Sequence, residues 1–103
     1  MNKFETLGIN SDILQGIIDL GFNEPMPVQT QVIPALLEKS NDIVALAQTG
    51  TGKTAAFGLP ILQLINIADK FPQALILSPT RELCVQISKD LMANSKYMKV
   101  IKI

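Results

Sequence analysis

Apolar residues recur along the chain at two different spacings. Ile13, Leu14, Ile17, Ile18 and Leu20 share one face at helical spacing, which predicts an amphipathic helix of about nine residues. Asn10 or Ser11 can cap its start, and Gly21 stands where a left-handed residue closes a helix. A second helix is expected from Pro27, a favoured first-turn residue, with Val28, Val32, Ile33, Leu36 and Leu37 facing inward. Pro34 lies inside that pattern and should kink or shorten it. Asn41 and Asp42 then turn the chain into an uncharged run from Ile43 to Ala47, which has the character of a buried strand. A helix is expected from Lys53 to about Phe57, bent or restarted at Gly58-Leu59-Pro60, with Ile61, Leu62, Leu64, Ile65 and Ile67 continuing its apolar face. Ala74 to Leu77 predicts a second strand. Pro79 and Thr80 lead into a helix with Leu83, Ile87 and Leu91 four apart, and Tyr97 to Ile103 predicts a third strand.

Strands alternating with helices imply an α/β fold with a mostly parallel sheet and helices on both faces. Residues 1–41 form a helical leading region, and residues 42–103 the first strands and helices of the sheet domain.

Composition sharpens this picture. Of 103 residues, 48% are hydrophobic and 17% charged, with mean hydropathy +0.30. A small domain has much surface for its volume, so part of this apolar surface is expected to meet further polypeptide. The last predicted strand ends at Ile103 with no turn after it, which adds the expectation of a truncated domain. Net charge is zero, with a pI near 6.1. Any nucleic-acid contact must therefore be local rather than the work of a broad basic field. With one cysteine, Cys84, and no histidine, internal disulfides, zinc sites and histidine-based triads are excluded. The N-terminus lacks a signal-peptide core and no run reaches membrane-spanning length, so a cytoplasmic setting without membrane contact is expected.

The chemistry centres on residues 43–54. An apolar run is followed by Ala47-Gln48-Thr49-Gly50-Thr51-Gly52-Lys53-Thr54, the order strand, loop, helix. It fits the phosphate-binding loop pattern, with Ala47 where many versions have the first glycine. Gly50 and Gly52 let backbone N–H groups turn toward a triphosphate without obstruction by side chains, and the helix beginning near Lys53 adds its positive end. Lys53 can reach the β and γ phosphates, and the Thr54 hydroxyl can take one place on Mg2+. A glycine-rich turn that only joins strand to helix is the plainer alternative.

Two more stretches accompany this loop. Gly21-Phe22-Asn23-Glu24-Pro25-Met26-Pro27-Val28-Gln29 lies before it, with Phe4 seventeen residues ahead of Gly21, and Pro79-Thr80-Arg81-Glu82-Leu83-Cys84-Val85-Gln86 lies after it. In this order and spacing the three resemble the Q motif, motif I and motif Ia of the DEAD-box family of ATP-dependent RNA helicases, over nearly the whole chain. The resemblance implies a partial, truncated RecA-like P-loop domain. It assigns ATP to Phe22, Gln29, Thr49, Gly50, Thr51, Gly52, Lys53 and Thr54, and an RNA phosphate to Thr80 and Arg81. A glutamine amide matches the N6 donor and N7 acceptor of adenine, and an aromatic ring can stack on the base. Equally, Gln29 falls at the third position of its helix, where glutamine commonly accepts the cap N–H, and Phe22 can be core.

Two departures from the family pattern stand out. Met26 replaces the usual Ser or Thr at the N-cap, a loss worth about 0.5–2 kcal/mol, and Ser40 replaces a glycine. Arg81 sits in the first turn of a helix, where the macrodipole disfavours a cation. An external anion would account for it, as would pairing with a nearby acid. Lys96, Lys99 and Lys102 suit a solvated face.

None of the nine acidic residues follows an apolar strand in the manner needed to hold magnesium and organise a water for hydrolysis. In the family these carboxylates, further strands and a second RecA-like domain come later in the chain. Two expectations result: the N-terminal part of an ATP-dependent RNA helicase or, alternatively, a non-catalytic nucleotide-binding fragment of another P-loop ATPase or kinase.

Overall fold

Local capping chemistry sets most of the helix boundaries. The computed structural model describes residues 3–38, 42–46, 52–98 and 103. A single 3-10 turn at Glu5–Leu7 ends at Gly8, whose φ of 104° only glycine adopts freely. Around it Phe4 and Ile9 turn into the core.

Helix α1 (Ser11–Asp19) begins where the Asn10 side chain accepts from the Ile13 N–H at 3.3 Å. It ends in a Schellman motif: the Gly21 N–H bonds to Ile18 O and the Phe22 N–H to Ile17 O, with Gly21 at φ 86°. Ile13, Gly16 and Ile17 form its buried face.

Helix α2 (Pro27–Glu38) buries Gln29, Val32 and Ile33. It runs through Pro34 without being shortened. The N–H that Pro34 lacks would have bonded the carbonyl of Thr30, an exposed residue whose oxygen can take water instead.

Helix α3 (Lys53–Leu64) departs from the expected break, because Gly58, Leu59 and Pro60 all lie inside one continuous helix. An interior proline costs about 3 kcal/mol and a glycine about 1 kcal/mol. Burying Leu59 and Leu62 returns about 1.5–3 kcal/mol each, and Ala55, Ala56 and Pro60 are buried as well. Packing therefore outweighs propensity. Only the expected apolar continuation is cut back: the helix stops at Leu64, which is exposed, as is Ile67 beyond it.

Helix α4 (Arg81–Asn94) starts at Thr80, whose hydroxyl accepts from the Leu83 N–H at 3.1 Å. Ile87 and Leu91 are buried as the spacing requires, while Leu83 is exposed.

Helix α3 is the hub: α2 lies along it, α4 packs on it, and α1 touches both α3 and α4. Ile13, Ile17, Ile33, Leu59 and Leu91 meet in one core with Phe4 and Ile9, so residues on both sides of position 42 share it. Two amides seal the periphery. Gln63 accepts from the Asn10 N–H and donates to Gly8 O, both at 2.8 Å, and Gln73 grips Asn66 through the same pair of bonds. At the far ends of α1 and α4, Asp19 accepts from the Tyr97 hydroxyl and, at 3.3 Å, from the Lys96 ammonium.

The predicted parallel sheet is not formed among the described residues. Segments 42–46 and 72–78 are neither helical nor laddered. Val44 and Leu46 are more than 90% exposed and Leu75 and Leu77 are 84% exposed, since strands gain burial and ladder bonds only from neighbours at long sequence separation. Between α3, residues 65–78 and α4 lies an apolar cavity of about 860 Å³, lined by Ile61, Leu62, Ile76 and Ile87 among others. The last predicted strand begins instead with a turn at Ser95–Met98, and Lys99 to Lys102 lie outside the described residues.

Candidate functional site

Gly52 is the junction at which the loop chemistry meets the helical region. It precedes α3 at φ 83°, accepts the first helical bond from the Ala56 N–H at 3.1 Å, and offers no side chain to cap the helix. The first N–H groups of α3 are thus left for an outside acceptor. Lys53 follows, exposed and, among the described residues, without an ion-pair partner; Thr54 is half-buried. Thr49, Gly50 and Thr51 lie outside the described residues.

Gln29 reaches this junction from α2. Its Oε1 accepts from the Met26 N–H at 2.8 Å, which is one half of a capping box. Its Nε2 donates to Gly52 O at 3.1 Å. The side chain is 4% exposed, and a Cβ at position 52 would overlap its amide and press on the Met26 side chain at 3.2 Å. Glycine is required here by contact as well as by φ. Of the predicted site residues, then, Gln29 and Gly52 are in direct contact and Lys53 and Thr54 continue from them. Phe22 is 41% exposed, its backbone fixed by the Schellman motif, whereas Phe4 is buried in the core.

Thr80 and Arg81 belong to a separate helix start. The Thr80 hydroxyl is engaged as the α4 cap and Arg81 is exposed. Among the described residues no acid pairs with Arg81, so the positive end of the helix and the guanidinium face outward together. Helix α4 also carries Glu82 in its first turn, where the dipole favours it.

Charge effects elsewhere are peripheral. The hydrogen bond from Tyr97 holds the Asp19 carboxyl below its ordinary range and raises Tyr97, and the bond Lys96 itself makes to Asp19 raises Lys96. Lys3, at 2.8 Å, lowers Glu24 next to the Phe22 turn. The large apolar cavity shares no residue with Phe22, Gln29, Lys53, Thr80 or Arg81. Among the described residues no cluster of acids or cysteine could hold a metal, and no helix is long and apolar enough to cross a membrane.

Sequence reasoning missed the Gln63 clamp and the tight seat of Gly58 against α4. Both depend on partners more than thirty residues away and leave no local signature.

Residues 26–103 match the family model for DEAD/DEAH box helicase. The chain belongs to this family. Among DEAD-box relatives, it is 50% identical over 97 residues to the ATP-dependent RNA helicase DeaD of Buchnera aphidicola, covering 94% of this chain and 16% of that protein. It is 46% identical over 100 residues to the ATP-dependent RNA helicase DbpA of Bacillus subtilis, covering 97% and 21%. Among solved structures, S. cerevisiae Dbp5 bound to RNA and ADP BeF3 superposes with a TM-score of 0.91 at 37% identity, over 97% of this chain and 26% of that one. A DEAD box protein from Methanococcus jannaschii gives 0.91 at 37% identity, over 99% and 28%. The chain thus spans between a sixth and about a quarter of the DEAD-box proteins it matches, and within that span it has the fold of their RecA-like domains.

Proposed function

We propose that this chain is the leading part of the first RecA-like domain of a cytoplasmic ATP-dependent RNA helicase. Polypeptide corresponding to the remaining length of its relatives would complete the parallel sheet along segments 42–46 and 74–77. The observation that carries the nucleotide assignment is the bond from Gln29 to Gly52 O. One amide thereby links the start of α2 to the start of α3, and it retains an unused Nε2 proton and an unused Oε1 lone pair. That remaining donor and acceptor suit the N6 and N7 edge of adenine, with the exposed Phe22 ring against the base. Lys53 and the free N–H groups of α3 neutralise the phosphates, with the backbone of Thr49, Gly50 and Thr51 around them. The Thr54 hydroxyl is the ligand this chain offers to Mg2+, which when bound neutralises phosphate charge. Thr80 and Arg81 hold an RNA phosphate at the start of α4, a contact that positions the strand without reading its sequence.

Hydrolysis needs carboxylates to hold magnesium and organise water, and among the described residues no cluster of acids could do so, so the 103-residue piece binds nucleotide without turning it over. The test is steady-state ATP hydrolysis with and without RNA. The full-length protein is expected to be RNA-stimulated, to prefer ATP to GTP, and to lose turnover in Lys53→Ala. Robust turnover by the 103-residue chain alone, or equal use of GTP by the full-length protein, would overturn the assignment.

A further inference from the structure

We propose that Met26 is an oxidation site beside the adenine-reading amide, at which a peroxide converts the thioether to a sulfoxide and weakens nucleotide binding; this rests on the adenine assignment proposed above. Three observations meet at this side chain. It stands where the family pattern has a hydroxyl residue, so the sulfur is this chain's own departure. Its Cγ lies 3.2 Å from the point a Cβ on Gly52 would occupy, and that same point overlaps the Gln29 amide nitrogen. Methionine and amide are therefore neighbours over one face of Gly52. Finally, Met26 is 41% exposed although its N–H bonds Gln29 Oε1 and its carbonyl accepts from the Thr30 N–H. With the backbone engaged and Cγ held against Gly52, the open surface falls on the Sδ and Cε end, which is the end an oxidant must reach.

The step is a two-electron oxidation of the sulfur by hydrogen peroxide or an organic hydroperoxide. An S–O bond forms at Sδ, the O–O bond breaks, and the peroxide is reduced to water or an alcohol. A flexible apolar end thereby becomes polar and gains a strong acceptor. Gln29 is 4% exposed and gives one Nε2 proton to Gly52 O at 3.1 Å, keeping the other for the base. The sulfoxide oxygen, two bonds beyond Cγ, comes within hydrogen-bond reach of that second proton. A buried donor takes the nearest acceptor, so the proton is already engaged when adenine N7 arrives. No helix has to move, because both groups already touch the same glycine.

The experiment uses the full-length protein that contains this chain, treated with hydrogen peroxide and then with dithiothreitol to reverse cysteine oxidation, while peptide mass spectrometry reports sulfoxide at Met26. KM for ATP is expected to rise about three- to tenfold, the effect of one hydrogen bond. The concentration of a homopolymeric RNA for half-maximal stimulation is expected to stay within about twofold. Methionine sulfoxide reductase is expected to restore KM. Met92 is exposed as well, so variants at position 26 separate the two. Met26→Leu, similar in volume and without sulfur, is expected to show the same KM before and after peroxide. Met26→Gln, which carries a polar end of similar length, is expected to show the raised KM with no oxidant. Met26 fully converted with KM unchanged, a rise that persists in Met26→Leu, or no recovery with the reductase would overturn the proposal. So would a Met26 that stays a thioether at a peroxide concentration that converts Met92. Should Met26→Leu not fold, the reductase arm and Met26→Gln decide by the same criteria. An untreated protein that uses GTP as well as ATP removes the adenine assignment itself, whereas one that prefers ATP and keeps its KM with Met26 oxidised removes only the role of Met26.

Discussion

The Gln29 amide nitrogen lies 3.1 Å from the carbonyl oxygen of Gly52, so the third residue of α2 and the residue preceding α3 are joined by a buried hydrogen bond. The other end of the same amide holds the Met26 N–H. Two residues twenty-three apart in the chain thus join the starts of two helices through one side chain.

Gln29→Ala leaves the Met26 N–H without its partner and removes one of the two bonds to the Gly52 carbonyl, which keeps the Ala56 N–H. An orphaned buried group costs about 1–3 kcal/mol, and a loss of that size is expected in urea denaturation. Gln29→Glu keeps the acceptor for Met26 but turns a carboxylate toward the Gly52 carbonyl, and is expected to be at least as destabilising. In calorimetry of the full-length protein, Gln29→Ala should also erase the preference for ADP over GDP.

Met26 occupies an N-cap with only half of its box in place. Met26→Ser supplies an oxygen that can accept from the Gln29 N–H, completing the reciprocal pair. The methionine is 41% exposed and surrenders little burial. A gain of about 1 kcal/mol, the usual worth of a cap, is expected. Thermal denaturation showing no gain would mean that Met26 packing against the Gly52 region matters more than the missing oxygen.

Thr80 and Arg81 separate into two effects. Thr80→Ala removes the α4 cap and should cost about 0.5–2 kcal/mol, most of it recovered in Thr80→Ser. Arg81→Ala removes a cation from the positive end of a helix, so stability should hold or rise slightly. RNA affinity should fall, and the slope of log affinity against log salt should drop by about one. Titrations at several salt concentrations check this, and an unchanged slope would exclude a phosphate contact.

The Asp19, Lys96 and Tyr97 cluster gives stability a definite pH dependence. Asp19 is lowered by its hydrogen bond from Tyr97, so its contribution is complete above the ordinary value of 3.8 and fades as pH falls toward the depressed one. Tyr97 and Lys96 are raised by the same carboxylate, so their contributions are complete below about 10 and fade as pH climbs through the elevated values. Melting curves of wild type and Tyr97→Phe should lie furthest apart between these limits and converge outside them.

Where the sequence spoke through local chemistry, it placed elements well. Asn10 is a cap, Gly21 is the left-handed closure, Pro27 opens its helix and Thr80 leads into α4, because each acts on atoms within four residues. The plainer expectation for Gln29, a capping amide, holds alongside the contact to Gly52. Gly58 and Pro60 misled because their local cost is outweighed by burial against α2 and α4, which no window around them reveals. The strands were read from apolar runs alone, and such runs report what a segment could bury without reporting whether a neighbour is present. Val44 and Leu77 stand in water for that reason. In the candidate site, the meeting of Gln29 and Gly52 across twenty-three residues is a contact that no local pattern announces.

Phe4 and Ile9 fill the gap beneath α1, and Gln63 latches the backbone between Gly8 and Asn10 over them. These few residues behave as a stopper. A version of the protein trimmed to start at the first helix would uncork the end of the hub helix far from Lys53, so the shortest piece that keeps this domain watertight includes Phe4.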